Sequence, residues 1–598
     1  MVAPTFRRTT LTGNPGTASA YGADDMKYWF DVMDGSGTTT DRIQSQNIEG
    51  LENSYDVTVY RRGTSIYARH RNGTILSSGV FNTDDATVIQ AALTYSQTIS
   101  PKPLNILIKP EIYSLNATLT VYSNVTISGY AATLKWTAGT IAINPRNISN
   151  MTISGLTFDY NNVVAELRFQ TNTGETTHNN LVQDCLFKNP LGTARLLSFI
   201  NTTENWDNAI NNRIVRCNFD GTEATAPAAG SLSVVDMSYQ RNGLFNANIV
   251  QKVSSTRRAA TFMNLPNLNM TISNNTWFGN LCDNDLSIQQ QKNCTVMGNT
   301  LPIGIKIYDC RDTSIVGNNI RLCSIVDHDA PQIDSTYTSL FRGSQRILIA
   351  SNALNSTADS AGGASNDCIT ITTTENDANP VKHIAVVGNS AKVNLVFFRF
   401  TGVNSSLPSP HENIVVSNNH ILERVTADSS TGTIQLTGNT GVTNSGLKTC
   451  LIQGNYIGTL DTNAAGGNND IRVVTTGFSN LVIRDNWFSN DGVSNINNYP
   501  LVFGNFISPT SITQARRDAN SGTFSIGTGA TSATTNHGLP YTPTFDNIKV
   551  VPTNSMGAAS RFYVSAVTST NFTVTLNTNP AGSTAATFAW HISRGSAV

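Results

Sequence analysis

A ten-residue phrase recurs along the chain and constrains its fold more than any other feature. Each copy has a short β-branched run, a small or polar sixth residue, asparagine at the seventh position and a further apolar segment. NCTVMGNTLP from 293 and DTSIVGNNIR from 312 are typical, and weaker copies begin at 124, 150, 180 and 212. The nine clear copies carry their seventh-position asparagine at Asn275, Asn299, Asn318, Asn352, Asn389, Asn419, Asn455, Asn486 and Asn505.

The repeating unit is a strand, a tight turn and a second strand, because asparagine and glycine tolerate the left-handed backbone of such turns. Successive asparagines are 19 to 37 residues apart. A helical repeat would keep a steadier period, and a propeller blade would need about 40 residues. We therefore predict a parallel β-helix whose coils stack about 4.8 Å apart, with an asparagine ladder along one corner. The residues in excess of the shortest coil must leave it as loops.

Composition narrows the function classes. The chain has 598 residues, too many for one ordinary compact core, and only 13% are charged, with a net charge of −1. A nucleic-acid partner bound through phosphate contacts is therefore not expected, and no apolar run suggests membrane insertion. The N-terminus lacks the hydrophobic segment of a secretory signal. The eight cysteines form no C-x-x-C pair, so we expect buried thiols, no metal site and no cofactor.

The stretch FNTDDATVIQAALTYS, residues 81–96, predicts a short amphipathic helix over 84–96. Thr83 or Asp84 can cap its N-terminus, and Ile89, Ala92 and Leu93 share one face. Such a helix would cover the first coil, whose exposed strand edge would otherwise invite aggregation.

With this helix and the following strands LNILIKPEIYSLNATLTVYSNVTISGYAATLKW, residues 104–136, the chain over 80–508 resembles the pectin-lyase-like right-handed parallel β-helices, in particular phage tailspikes. The resemblance implies a right-handed coil, a polysaccharide-depolymerase activity and a homotrimer. It also implies a place in the virion tail or outside the cell. It does not specify the reaction, because one scaffold hosts many functions.

The flanks differ in character from the repeat. Residues 1–79 resemble a head-proximal attachment region that would contact virion tail or baseplate proteins. Within it, GADDMKYWFDVMDG at 22–35 predicts a short helix, and 55–79 predicts a hairpin with its turn at RNG. A linker at 509–521 precedes alternating strands at 522–598, which predict a β-sandwich. Similar modules in phage fibres trimerise or bind sugar.

Alternate residues of the strands before each motif should face inward and outward. The outward set is polar and lies on one sheet: Gln289, Lys306, Tyr308, Arg342, Arg399 and Arg472. Such a surface suits an extended anionic glycan, because arginine pairs with carboxylates and tyrosine can stack on a sugar ring. We expect Gln289, Arg399 and Arg472, together with His328, to bind substrate.

Two catalytic mechanisms are compatible with these residues. In an elimination, Lys306 or Tyr308 would remove the proton α to a uronate carboxylate, and Arg342 would neutralise the developing charge. A hydrolase needs two carboxyl groups, about 5–5.5 Å apart for retention or 6.5–9.5 Å for inversion. The candidate acids are Asp283, Asp285, Asp309, Asp327 and Asp329.

Ordinary structural interpretations compete with these assignments. Asp283 and Asp285 can cap a turn, and the D-H-D triplet around His328 can be a solvated loop or, as a weak signal, a metal ligand set. The sequence predicts an enzyme that cleaves a polysaccharide, most plausibly an anionic one, by elimination or hydrolysis. A glycan-binding adhesin without catalysis and a structural fibre are the alternatives.

Overall fold

A computed structural model places most of the chain in short β-strands. It describes residues 5–9, 29–33, 39–44, 55–98, 104–139, 141–143, 145–163, 166–191, 195–202, 205–221, 234–251, 259–263, 267–278, 284–326, 343–356, 367–372, 380–393, 396–402, 411–424, 432–438, 447–458, 469–474, 479–488, 493–494, 502–503, 506–507, 519–539, 542–580 and 584–593. The chain divides into two compact units, residues 1–303 and 304–598, and each is described by itself.

The first unit contains three stacks of parallel strands, which we call the first, second and third sheets. The first sheet consists of Val57–Arg62, Leu104–Ile108, the starts of Val125–Trp136 and Thr152–Asp159, Leu181–Gln183, Arg213–Val215, Leu244–Asn246, Thr271–Ser273 and Thr295–Met297. The second consists of Ile112–Leu115, the ends of Val125–Trp136 and Thr152–Asp159, Leu186–Lys188, Asn218–Asp220, Ile249–Gln251, Thr276–Phe278 and the start of Thr300–Tyr308. The third consists of Leu167–Thr171, Leu197–Asn201, Val235–Ser238, Ala259–Met263 and Asn284–Gln289.

Shorter elements fill the corners of this unit. They are the strand pairs Thr177–His178 with Ala209–Ile210 and Asn267–Leu268 with Gln291–Lys292, and the 3-10 turn Trp206–Asn208.

The second unit repeats the arrangement and adds a C-terminal module. Its first sheet consists of Arg311–Val316, Gln345–Ala350, Lys382–Val387, His411–Ser417, Leu447–Gln453, Ser479–Arg484 and Val502–Phe503. Its second sheet consists of the start of Asn319–Val326, then Ala353–Asn355, Ser390–Val393, His420–Arg424, Tyr456–Ile457, Trp487–Phe488 and Phe506–Ile507. Its third sheet consists of the ends of Thr300–Tyr308 and Asn319–Val326, then Asp367–Thr372, Val396–Thr401, Gly432–Thr437, Asn469–Val474 and Val493–Ser494.

This succession of parallel strands confirms the predicted parallel β-helix, right-handed as parallel crossovers are. The coil interior is apolar and stacked, as in the run of rings Phe158, Phe187 and Phe219, with centroids 4.8 and 5.0 Å apart. The seven cysteines that the structure describes are buried thiols, as the sequence predicted. Within the described residues, no helix is both long enough and apolar enough to span a membrane.

Helix α1, Asp85–Tyr95, confirms the predicted capping helix and has Asp84 as its N-cap residue. The carboxylate of Asp85 accepts hydrogen bonds from the backbone N–H groups of Asn82 at 2.9 Å and Ser114 at 2.8 Å, which ties the helix to the first coil. On its inner face, Ile89 and Leu93 line the same enclosed space as core residues of the first and second sheets. The helix therefore covers the open end of the coil interior.

The asparagine ladder is present in both units at the corner between the first and second sheets. Asn389 is typical: its backbone N–H and its side-chain amide donate to Oδ1 of Asn419 at 3.0 and 2.9 Å, and the amide also donates to Ile349 O at 3.0 Å. Eight of the nine predicted asparagines are buried in this way, and Asn505 lies outside the described residues. Asn248, which the motif did not include, joins the ladder through Asn275.

The left-handed residue of each corner is the sixth of the motif and not the asparagine. Gly388 has φ of 64° and Asn418 has φ of 54°. A second ladder of exposed asparagines runs along the first unit, where Asn150 donates to Asn124 at 3.0 Å and Asn179 donates to Asn150 at 3.0 Å.

The structure of the N-terminal flank differs from two of the sequence predictions. The helix predicted at 22–35 is wrong where the structure describes it, because Trp29–Met33 is a strand that pairs with Thr5–Thr9 and Thr39–Gln44. The hairpin at 55–79 is present, with Val57–Arg62, Ser65–His70 and Ile75–Val80 antiparallel. Its first strand also pairs in parallel with Leu104–Ile108. The first sheet therefore starts before residue 80.

The C-terminal module is a β-sandwich, as predicted, and begins at residue 519 rather than 522. One sheet consists of Ala519–Ile526, Ile548–Pro552 and Ala586–Ser593, and the other of Ser532–Asn536, Phe562–Val567 and Asn571–Leu576, with the 3-10 turn Phe545–Asn547 beside them. Both sheets contribute to one buried cluster that includes Ile526, Phe572 and Phe588.

Candidate functional site

The predicted alternation of faces holds on the third sheet. Ile305 and Ile307 are buried, and Lys306 and Tyr308 beside them are partly exposed. Arg399 and Arg472 likewise alternate with buried apolar neighbours, and Gln289 of the first unit is partly exposed beside the buried Ile288. That these polar side chains form one glycan-binding surface stays a prediction.

Lys306 and Tyr308 form one local arrangement. The ammonium Nζ of Lys306 lies 5.1 Å from the centroid of the Tyr308 ring, within range of a cation–π contact. Asp309 follows directly but is buried, with 6% of its surface exposed, and its φ of 47° places it in the turn after the strand. Asp309 therefore does not share the outward face with the lysine and tyrosine.

Several other predicted site residues fall outside what the structure describes. They are Asp283, Asp327, His328, Asp329 and Arg342. Asp285 is described only as part of the backbone of Asn284–Gln289. Their roles remain predictions.

Arg399 is already paired with a buried acid that the sequence reasoning missed. Its Nε lies 2.9 Å from Oδ2 of Asp367, and its Nη2 donates to Oδ1 at 3.2 Å. Burial raises the pKa of Asp367, and the guanidinium of Arg399 opposes that shift. Because its charge is compensated, Arg399 is a weaker anion ligand than the sequence suggested.

Arg399 belongs to a column of polar residues, one per coil, which includes Thr370 in the preceding coil. The strand register aligns Arg399 with Gln435 and Gln435 with Arg472. Oε1 of Gln435 and Nε of Arg472 are buried and make no hydrogen bond with another described group. Since buried polar atoms are nearly always satisfied, these two atoms need partners from outside the described residues.

A second polar cluster lies on the third sheet of the first unit, and the sequence reasoning missed it. Arg168 and Asp236 occupy the same register position, two coils apart, with Ser198 between them. Glu166 and Arg195 stand shortly before their strands. Both acids are almost fully buried, with Glu166 2% and Asp236 3% exposed.

Arg195 connects the two acids. Its Nη2 lies 3.1 Å from Oδ2 of Asp236 and its Nη1 lies 4.0 Å from Oε2 of Glu166. Nε of Arg168 donates to Oε1 of Glu166 at 2.5 Å, and the hydroxyl of Ser238 donates to Oδ1 of Asp236 at 2.7 Å. The cluster thus holds two buried carboxyl groups in fixed positions beside the third sheet of the first unit.

The electrostatic environment distinguishes Asp236 from an ordinary surface acid. Burial raises the pKa of Asp236 to about 6, although Arg195 and the Ser238 hydroxyl act in the opposite direction. A carboxyl group with such a pKa can donate a proton near neutral pH. The signal in the sequence was a charged residue at an outward position of an apolar strand, as in AELRFQ and VVDMSY. The coil register needed to combine the two strands was hidden by the loops between them.

The fold defines the chain as a parallel β-helix protein, and the solved structures it is similar to include phage tailspikes. The tailspike protein gp49 from Pseudomonas phage LKA1 is 12% identical, covers 84% of this chain and 92% of its own, and has a TM-score of 0.47. The tailspike protein of E. coli bacteriophage HK620, solved as a mutant with a pentasaccharide, is 11% identical over 96% of this chain and 98% of its own, with a TM-score of 0.44.

A third similar structure comes from an enzyme. The A-module of a mannuronan C-5 epimerase from Azotobacter vinelandii is 13% identical, covers 72% of this chain and 96% of its own, and has a TM-score of 0.34. No family model matches the chain, and no curated protein matches it either.

Proposed function

We propose that this protein binds and hydrolyses a polysaccharide on the outward face of the third sheet. The observation that carries the proposal is the buried pair of carboxyl groups, Glu166 and Asp236, which Arg195 bridges. Hydrolysis of a glycosidic bond needs one carboxyl group that gives a proton and one that activates water or stabilises positive charge. The two environments of this pair fit those two roles.

Asp236 is the proposed general acid. Its raised pKa keeps a proton available to the glycosidic oxygen as the bond to the leaving sugar breaks. Glu166, which accepts a charge-assisted hydrogen bond from Arg168, takes the proton of the attacking water. The strands that carry them are two coils apart, roughly 10 Å at the backbone, and Arg195 bridges their carboxyl groups.

The glycan is proposed to be anionic. In the second unit, Arg472 and Gln435 hold a donor and an acceptor in adjacent coils that make no hydrogen bond with another described group. A carboxylate of a sugar accepts hydrogen bonds from a guanidinium, and sugar hydroxyls can donate to the amide oxygen. We also propose that the protein is located outside the cell or in the virion tail and forms a homotrimer. Residues 1–79 would attach it to tail or baseplate proteins.

The decisive experiment measures products and variants together. The protein is incubated with alginate, polygalacturonate, hyaluronan, dextran and purified bacterial capsular polysaccharides, while reducing ends, chain length and ultraviolet absorbance are followed. We expect new reducing ends without ultraviolet-absorbing products, and a loss of about 10²–10⁴ in rate for Asp236→Asn and Glu166→Gln. Asp184→Asn, which breaks an exposed ion pair with Arg216, is the matched control and should keep the wild-type rate.

A second candidate reaction is elimination, which the contact between Lys306 and Tyr308 favours. It predicts products that absorb in the ultraviolet and loss of turnover in Lys306→Ala and Tyr308→Phe, with Asp236→Asn active. Binding without cleavage in every substrate would instead indicate an adhesin, and absence of binding a structural fibre.

A further inference from the structure

Three aromatic residues form an exposed column on the second sheet of the second unit. The strand register places His420, Tyr456 and Trp487 at the same position of three successive coils. The His420 and Tyr456 rings are 4.7 Å apart in an edge-on arrangement, and the Tyr456 and Trp487 rings are 6.1 Å apart and nearly parallel, at 24°. Tyr456 and Trp487 each expose 40% of their surface. We call these three residues the aromatic column.

The column has a defined beginning. The same register position is occupied in the two preceding coils by Ala353 and Ser390, which are small and exposed. The rings therefore stand above a lower surface, and a ligand that lies against His420 has open space beside it. The difference in height between the small residues and the rings is formed by strand residues, since all five positions belong to strands.

The size of the column argues against a protein partner. An aromatic side chain contributes about 150–250 Å² when it is completely buried. Two rings that are 40% exposed therefore offer roughly 120–200 Å², whereas a stable interface buries about 800 Å² on each partner. An occupant that this area can hold is a small, flat group.

The chemistry of the rings indicates which small group. Each ring combines an apolar face with a polar edge: the imidazole nitrogens, the phenol hydroxyl or the indole N–H. A pyranose ring has the complementary form, with an apolar C–H face and hydroxyl groups around its rim. The column itself contains no lysine or arginine, unlike the positively charged grooves that bind single-stranded nucleic acid.

We propose that the aromatic column is a second saccharide-binding site, which holds one or two sugar units of the polymer by stacking. The inference rests on the proposed function for the identity of the polymer. It adds a binding site on a different sheet, whose role is to retain long chains and not to cleave them.

The test compares a long polymer with its short products by isothermal titration calorimetry, using the polymer of the panel that the protein binds. In the hydrolysis-deficient Asp236→Asn background, Trp487→Ala and Tyr456→Ala should each raise Kd for the long polymer about threefold to tenfold, the equivalent of one lost aromatic contact. Trp487→Phe should restore most of the affinity. Tyr563→Ala, which removes a 59% exposed tyrosine on the sandwich, is the matched control and should leave Kd unchanged.

The outcomes separate this proposal from the function itself. If the aromatic variants bind the polymer with unchanged Kd while the wild-type protein cleaves it, the column is not a saccharide site although the proposed function stands. If the polymer is bound with the expected losses but never cleaved, the column is supported and hydrolysis fails. Two results would overturn the saccharide assignment. One is a change in the sedimentation of the aromatic variants, and the other is binding of a single-stranded oligonucleotide, in place of the polymer, that those variants lose.

Discussion

Oδ1 of Asn352 accepts two hydrogen bonds from Asn318, one from the backbone N–H at 2.9 Å and one from the side-chain amide at 3.0 Å. The Asn352 amide in turn donates to Ile315 O at 2.9 Å and to Oδ1 of Asn389 at 3.0 Å. One side chain thus bonds to buried groups of the coil before its own and the coil after it.

Replacing Asn352 with alanine should therefore be costly. The change leaves buried donors and acceptors without partners, each worth about 1–3 kcal/mol, so we expect a loss of roughly 3 kcal/mol or more in the free energy of unfolding. Chemical denaturation followed by circular dichroism measures the loss. Asn116→Ala, at an exposed position with ordinary backbone, should change stability little. Equal stability of the two variants would show that the ladder does not stabilise the coil.

Gly304→Ala should prevent correct folding of its coil. Gly304 has φ of +139°, and a Cβ atom there would lie 2.0 Å from the backbone oxygen of Leu322. Because that neighbour is backbone, it cannot move aside as a flexible side chain could. Gly317→Ala is the matched control, since φ there is +65° with open space around the position, and it should cost only about 1–2 kcal/mol. Soluble yield and melting temperature distinguish the two variants.

Leu93→Ala tests the capping helix. Leu93 is buried against the coil interior, and a buried leucine replaced by alanine typically costs about 2–5 kcal/mol. Because the helix covers an open strand edge, we also expect faster aggregation on heating, measured by light scattering. Thr87→Ala, on the exposed face of the same helix, should behave as the wild type. A Leu93→Ala protein that melts normally would assign the helix no protective role.

Asp236 should make stability depend on pH in a direction opposite to that of most acids. Burial raises its pKa in the folded state to about 6, against about 3.9 in the unfolded chain. The folded state therefore binds the proton more tightly, and the stabilisation is fully present below about pH 4 and is lost as the pH rises through about 6.

The measurement is the difference in unfolding free energy between the wild-type protein and Asp236→Asn at pH 4 and pH 7. We expect the wild type to lose stability relative to the variant across this interval. Asp184→Asn provides a control of opposite sign, because the hydrogen bond from Arg216 lowers the pKa of Asp184 and its exposure keeps the effect small. Parallel curves for the wild type and Asp236→Asn would contradict the assigned environment.

The proposed homotrimer can be tested by its mass. The resemblance to tailspikes predicts a species of three times the 64.3-kDa chain mass in sedimentation equilibrium. It also predicts that a chain ending at Ser508, without the sandwich, loses this assembly. If the shortened chain sediments as the same oligomer, the C-terminal module is not the trimerisation element.

The sequence predicted the coil well because its signal is local. The seventh-position asparagine and the left-handed sixth residue are fixed by one corner, so they repeat wherever the corner repeats. The same locality explains Lys306 and Tyr308, which alternate with Ile305 and Ile307 on a single strand. The helix expected at 22–35 failed because the short-range pattern could not show that Trp29–Met33 pairs on both sides with strands distant in the chain.

The carboxyl pair could not be predicted from local sequence patterns. Glu166 and Asp236 are two coils apart, and whether they meet depends on the number of residues that leave the coil between them. Loop lengths vary along the repeat and follow no rule in the sequence, so the register of the first coils could not be counted. The pairing of Arg399 with Asp367 was hidden for the same reason.

The self-contained corner has a consequence for how such a chain changes over evolutionary time. Because Asn389 and Asn419 close their coils with bonds to neighbouring corners and to strand carbonyls, and to no loop among the described residues, the geometry of a coil does not depend on the length of the segment that leaves it. The intervals between corners already range from 19 to 37 residues. Substituted, lengthened or exchanged loops can therefore alter the chain's surface while the scaffold is inherited intact, so surface and architecture can diverge at separate rates.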